Sequence, residues 1–73
     1  MKKIIYAPVP EQQVIYIDRE LAVINNDKVI YLKVNKLEDM EFLFYILTEW
    51  NIAEKHIEDI IEDIFRIYDD ETE

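Results

Sequence analysis

The sequence predicts an α+β domain, with β-strands in the first half and two back-to-back helices in the second. Three observations predict it. Residues 1–34 alternate short runs of Ile, Val, Tyr and Leu with turn-forming Pro, Asn and Asp, the pattern of short strands. From Asn35 to Tyr68 the apolar spacing lengthens to the helical period. Within that stretch, Asn35 precedes Glu38 and Asn51 precedes Glu54 by three residues, the spacing of a helix start in which the Asn side chain accepts a first-turn N–H.

The elements follow in order. Lys3 to Ala7 is a first strand, and Pro8 and Pro10 end it or confine it to a sheet edge. Gln13 to Asp18 is a second strand, Asp18-Arg19-Glu20 a turn, and Leu21 to Ile24 a short third strand. Asn25-Asn26-Asp27 is the strongest turn signal, because Asn and Asp tolerate positive φ. Lys28 to Val34 is a fourth strand, with Ile30, Leu32 and Val34 on one face and Val29, Tyr31 and Lys33 on the other.

Helix one is expected over Lys36 to Trp50 and helix two over Ile52 to Asp69. Asn51 would then close one helix and open the next, taking the left-handed conformation that a chain without glycine must give to another residue. Helix two carries one apolar stripe (Ala53, Ile57, Ile60, Ile61, Ile64, Phe65, Ile67, Tyr68) opposite Lys55, Glu58, Asp59, Glu62, Asp63, Arg66 and Asp70. Glu62 and Arg66 have the spacing of a helical ion pair. Helix one is apolar over more than half its circumference, through Leu37, Met40, Phe42, Leu43, Phe44, Ile46, Leu47 and Trp50. One partner element cannot cover so wide a face. Either a sheet or a second subunit must cover the rest, and for so short a chain a second subunit is expected.

The 73 residues make one domain. Its parts are a β-hairpin extension over 1–27, a strand-helix-helix unit over 28–70 and a frayed acidic tail over 71–73. The chain has no cysteine, which excludes disulfides and thiolate metal sites and suits the cytoplasm. No signal peptide opens it and no apolar run reaches membrane-spanning length, so no membrane partner is expected. Abundant Ile, Lys, Asn, Tyr, Asp and Glu fit an AT-rich genome such as that of a virus or mobile element; the compartment would then be the host cytoplasm. Charge is divided unevenly. Residues 1–36 carry six basic side chains against four acids, and residues 37–73 carry two against thirteen, for a net −9.

No arrangement of residues calls for catalysis, a metal or a cofactor. His56, the sole histidine, lacks the Glu-x-x-His spacing of a metal helix and reads as a helix-edge residue. The rows Glu54/Glu58/Glu62 and Asp59/Asp63 read first as a solvated face. Their alternative use is contact with a basic protein, or imitation of nucleic-acid phosphates, with Glu58, Glu62 and Asp63 as the working side chains.

Lys28-Val29-Ile30-Tyr31-Leu32-Lys33-Val34-Asn35, followed by a helix, a tight turn and a second amphipathic helix, resembles the ribbon-helix-helix family over residues 28–68. The resemblance implies an intertwined homodimer whose paired strands enter the major groove of double-stranded DNA. Ile30, Leu32, Val34, Leu43, Leu47, Trp50, Ile57 and Ile61 would then form the dimer interface. Val29, Tyr31 and Lys33 would face base edges, and Lys28, Lys36 and Lys55 would meet phosphates. Trp50-Asn51 stands where that family has Gly, and residues 1–27 have no counterpart in it. Ala22 to Asn35 with the helices also resembles small peptide-recognition modules in which a strand edge captures a peptide, without their further helix. The function expected from the sequence is a homodimeric DNA-binding regulator; the alternative is an acidic protein-binding module or nucleic-acid mimic.

Overall fold

The structure is a computed structural model that describes residues 2–72. It has the order β1 (Lys2–Val9), β2 (Gln12–Ile17), β3 (Glu20–Asn25), β4 (Lys28–Lys33), α1 (Leu37–Glu49) and α2 (Glu54–Thr72). The strands form one antiparallel meander in sequence order. Both helices lie on one side of the sheet, α1 against β4 and α2 against β1, and they touch each other. The described part of the 1–27 segment, residues 2–27, is therefore not an appended hairpin. Its three strands continue the sheet of β4.

Strand alternation decides what the core contains. Val14, Val23 and Ile30 lie side by side across β2, β3 and β4, as do Tyr16, Leu21 and Leu32. These rows meet Met40, Leu43 and Leu47 of α1 and Ile57, Ile60, Ile64 and Ile67 of α2. Val34 joins them from the segment between β4 and α1. Burial of these side chains is the main source of stability.

Without glycine, the turns place Asp, Asn and one Arg in left-handed φ. Asp18 (φ 46°) and Arg19 (φ 72°) form the two-residue loop between β2 and β3. Positive φ at both loop positions matches the right-handed twist of a hairpin. Asn26 (φ 58°) turns β3 into β4, and its N–H is donated to the Glu11 carbonyl at 2.7 Å. Pro8 lies on the edge strand β1, where its missing N–H costs no ladder bond.

The helix ends differ from expectation. Asn35 does not cap α1: Lys36 is the N-cap residue and makes no side-chain cap bond. At the other end, Asn51 takes φ 66° and closes α1 as expected. Its N–H bonds the Thr48 carbonyl at 2.9 Å, and the Ile52 N–H bonds the Leu47 carbonyl at 3.3 Å. That pair of bonds is the Schellman closure. Asn51 does not also open α2, which starts three residues later at Glu54. A residue in left-handed φ cannot hold the extended backbone of an N-cap. Of the tail over 71–73, α2 takes in Glu71 and Thr72, with Tyr16 bonded to Glu71 and Arg19 to Tyr68, and Glu73 lies outside the described residues.

Candidate interaction surface

The sheet has one covered face and one open face. By register, Ile4, Ile15, Ala22 and Tyr31 form a row across the open face, flanked by Ile24 and Val29 on one side and by Ile17, Glu20 and Lys33 on the other. Ile15 and Ala22 are buried but stand outside the main core, with no helix over them. Towards the sheet edges the face is open: Ile4 is 58 % exposed, Val29 48 % and Tyr31 69 %.

The outer edge of β4 is built with equal economy. The two-residue loop makes Asn25 and Lys28 the closing hydrogen-bonded pair. Backbone groups of Ile30 and Leu32 therefore point to β3, and those of Val29, Tyr31 and Lys33 point away. Lys33 is already satisfied: its N–H is donated to the Asp39 carboxylate at 2.7 Å, and its carbonyl accepts the Lys36 N–H at 3.1 Å. Val29 and Tyr31 keep their outward N–H and C=O groups unpaired among the described residues. Above this edge lies the flank of α1, and Phe42 and Ile46 line a hollow of about 150 Å³ with Val23, Asn25, Lys28 and Ile30. Phe42 stacks on Tyr45, with ring centroids 6.3 Å apart.

The structure separates the basic residues singled out in the sequence. Lys28 and Lys33 sit at opposite ends of β4 and on opposite faces of it. Lys36 lies between β4 and α1, and Lys55 in the first turn of α2, on the helix layer. Val29, Tyr31 and Lys33 do share one exposed face. Leu32, Val34, Leu43, Leu47 and Ile57 are buried within the single chain and need no second subunit to cover them. Ile30, Trp50 and Ile61 are half-buried, and the Trp50 Nε1 meets no acceptor among the described residues.

Glu58, Glu62 and Asp63 are exposed on α2. Arg66 bridges two of them, at 3.1 Å to Glu62 and 3.3 Å to Asp63. His56 is exposed and packs edge-on against Tyr6, at 5.5 Å between centroids. Among the described residues no group of three or more His, Asp or Glu side chains could hold a metal ion. No helix among them is long and apolar enough to cross a membrane.

A second polar cluster joins the β2–β3 turn to the end of α2. The Tyr16 hydroxyl donates to Glu71 at 2.9 Å, and Arg19 donates to the Tyr68 hydroxyl at 2.8 Å while lying 4.8 Å from its ring centroid. Burial, then the Glu71 hydrogen bond and charge, push the Tyr16 hydroxyl up to about 12. The Tyr68 hydroxyl contact raises Arg19 further. Sequence reading missed this cluster, whose members lie 49 and 55 residues apart. It also missed Asp39, whose one signal was an acid interrupting the apolar side of a helix.

No family model, curated protein or solved structure matches this chain.

Proposed function

We propose that this chain is a non-catalytic binding module that recognises a protein through the open face of its sheet. One observation carries the reading: Ile4, Val29 and Tyr31 stand exposed on an apolar face that no helix covers. Apolar side chains grouped in this way gain burial from a macromolecular partner. Charge selects the partner class. A chain of net −9 repels a polyanion and attracts a basic surface. The carboxylates of Glu58, Glu62 and Asp63 project from the helix layer, away from that face, and act by steering the encounter. The partner surface is apolar at its centre and framed by Lys or Arg, and the absence of cysteine suits a meeting in a reducing cytoplasm.

A second reading, DNA binding by a regulator, is favoured by a specific arrangement: Val29, Tyr31 and Lys33 project together from one strand, and Lys36 follows within three residues. One pair of titrations separates the two. The protein is titrated with a duplex DNA and with peptides selected from a displayed library. Enrichment of apolar peptides flanked by Lys, lost in Tyr31→Ala and retained in Lys33→Ala, supports the protein reading. DNA binding that Lys33→Ala weakens, with a salt slope lowered by about 1, supports the second. Peptide enrichment unchanged by Tyr31→Ala removes the open face as the site.

A further inference from the structure

The sheet has two edges, and they are treated differently. Edge β1 carries Pro8, and its pairing with β2 shifts register between Ile4 and Tyr6 and again between Tyr6 and Val9. Proline and irregular register are the devices that stop an edge from acting as a template. Edge β4 pairs with β3 without a shift from Lys28 to Lys33. At its Lys33 end the Asp39 carboxylate occupies the outward N–H. The open part of the edge is thereby cut to two residues, Val29 and Tyr31, placed symmetrically about Ile30.

We propose that the occupant of this edge is the β4 edge of a second copy, antiparallel, with the two-fold axis at Ile30. In that register Val29 faces the partner's Tyr31, and Tyr31 faces the partner's Val29. Each pair exchanges two backbone hydrogen bonds, so all four outward groups of each chain are satisfied and none is left over. The side chains agree with the backbone. On the open face, exposed Val29 and Tyr31 become two cross-strand pairs of β-branched and aromatic residues. On the helix face, Ile30 meets its own copy beneath the exposed rings of Phe42. At each end Asp27 stands opposite the partner's Lys33, giving two opposite-charge pairs across the seam.

Neighbouring registers fit less well. A shift towards Lys33 requires the N–H that Asp39 holds, and a shift the other way sets Tyr31 against the turn residue Asp27. The result is a continuous eight-stranded sheet whose open face is twice the size of one chain's. This inference does not rest on the protein-binding reading, because the edge of β4 and its open face are different surfaces.

The test uses the full chain, which has no cysteine of its own. Light scattering from low micromolar to near-millimolar concentration is expected to show a dimer. Lys33→Asp and Asp27→Lys, which place like charges across both ends of the seam, should each weaken dimerisation roughly tenfold, and the double swap should restore it. Ile30→Cys should form an interchain disulfide on mild oxidation, because the two Ile30 positions are a directly opposed, non-hydrogen-bonded pair. Val29→Cys alone should not, since Val29 faces the partner's Tyr31. Circular dichroism confirms that each variant folds. A monomer at every concentration overturns the proposal. So does a dimer indifferent to both charge reversals and uncrosslinked by Ile30→Cys, or an edge that stays monomeric and takes up an extended peptide instead.

Discussion

The hydroxyl of Tyr16 on β2 donates to the carboxylate of Glu71 in the last turn of α2, across 2.9 Å and 55 residues of chain. This bond, with Arg19 on Tyr68, ties the C-terminal part of α2 to the sheet and its β2–β3 turn. It also carries a pH dependence. Burial and then the Glu71 contact favour the neutral phenol in the folded state and raise its pKa from 10.0 to about 12. A raised folded value means that the contribution is fully present below pH 10 and is lost as pH climbs towards about 12. Denaturant unfolding at stepped alkaline pH should show that loss in the native chain and a smaller one in Tyr16→Phe. Near neutral pH the same variant should cost about 1 kcal/mol.

Arg19 holds φ 72° in a hairpin loop, a conformation that suits Gly or Asn better, and its guanidinium packs on Tyr68. The two effects oppose each other. Arg19→Ala keeps the backbone cost and loses the Tyr68 contact, and should lower the melting temperature. Arg19→Gly loses the same contact but removes the left-handed penalty. Thermal melts should therefore place Arg19→Gly near the native chain and Arg19→Ala clearly below it.

Asn51 supplies the left-handed residue of a Schellman closure. Asn51→Gly should raise stability by about 0.5 kcal/mol, the small gain expected where φ is positive and the chain otherwise lacks glycine. Asn51→Ala should lower it by about 1 kcal/mol. Reversal of that order in denaturant midpoints would show that the Asn side chain, not its φ, matters here.

Asp39 ties the first turn of α1 to the Lys33 N–H at the end of β4. Asp39→Ala should cost about 1 kcal/mol, since a charge-assisted bond is lost at an exposed strand end. Asp39→Asn keeps an acceptor and should recover most of that. Hydrogen exchange at the Lys33 amide reads the effect directly: faster in Asp39→Ala, near native in Asp39→Asn.

Leu47 and Tyr31 separate stability from binding. Leu47 of α1 is fully buried in the core between the helices and the sheet, and Leu47→Ala should cost about 2–5 kcal/mol. Tyr31→Ala should change unfolding by no more than about 0.5 kcal/mol while weakening capture of a partner. A large stability loss in Tyr31→Ala would mean that its ring is held by its own chain.

The four strands and two helices were legible because each has a local cause. β-Branched and aromatic runs between turn residues mark β2, β3 and β4. The 3.6-residue stripe of Ile57, Ile60, Ile64 and Ile67 marks α2, and the buried face is the one that period selects. The division of β4 into Ile30, Leu32 against Val29, Tyr31, Lys33 follows from strand alternation alone. The helix starts were misplaced because an Asn three residues before a Glu states only that a cap is available. At Asn35 the chain instead uses the Asp39 carboxylate to join helix and strand. The wide apolar face of α1 led to the expectation of a second subunit; within the chain its own sheet and α2 bury Met40, Leu43 and Leu47, and Leu37, Phe42 and Tyr45 are exposed.

By itself the sequence determined the class of fold, the order of its elements, the inward residues of β4, most of the buried stripe of α2 and the acidic balance, because these depend on neighbours within a few residues. Only the tertiary structure decided that residues 2–27 share a sheet with β4, that Glu71 belongs to an ordered helix, that Lys28 and Lys33 part company, and that the β4 edge is stopped at Asp39. Each of those depends on contacts whose entropy cost of closure is met by the assembled core as a whole, and no local pattern of side chains records which distant partners that core brings together.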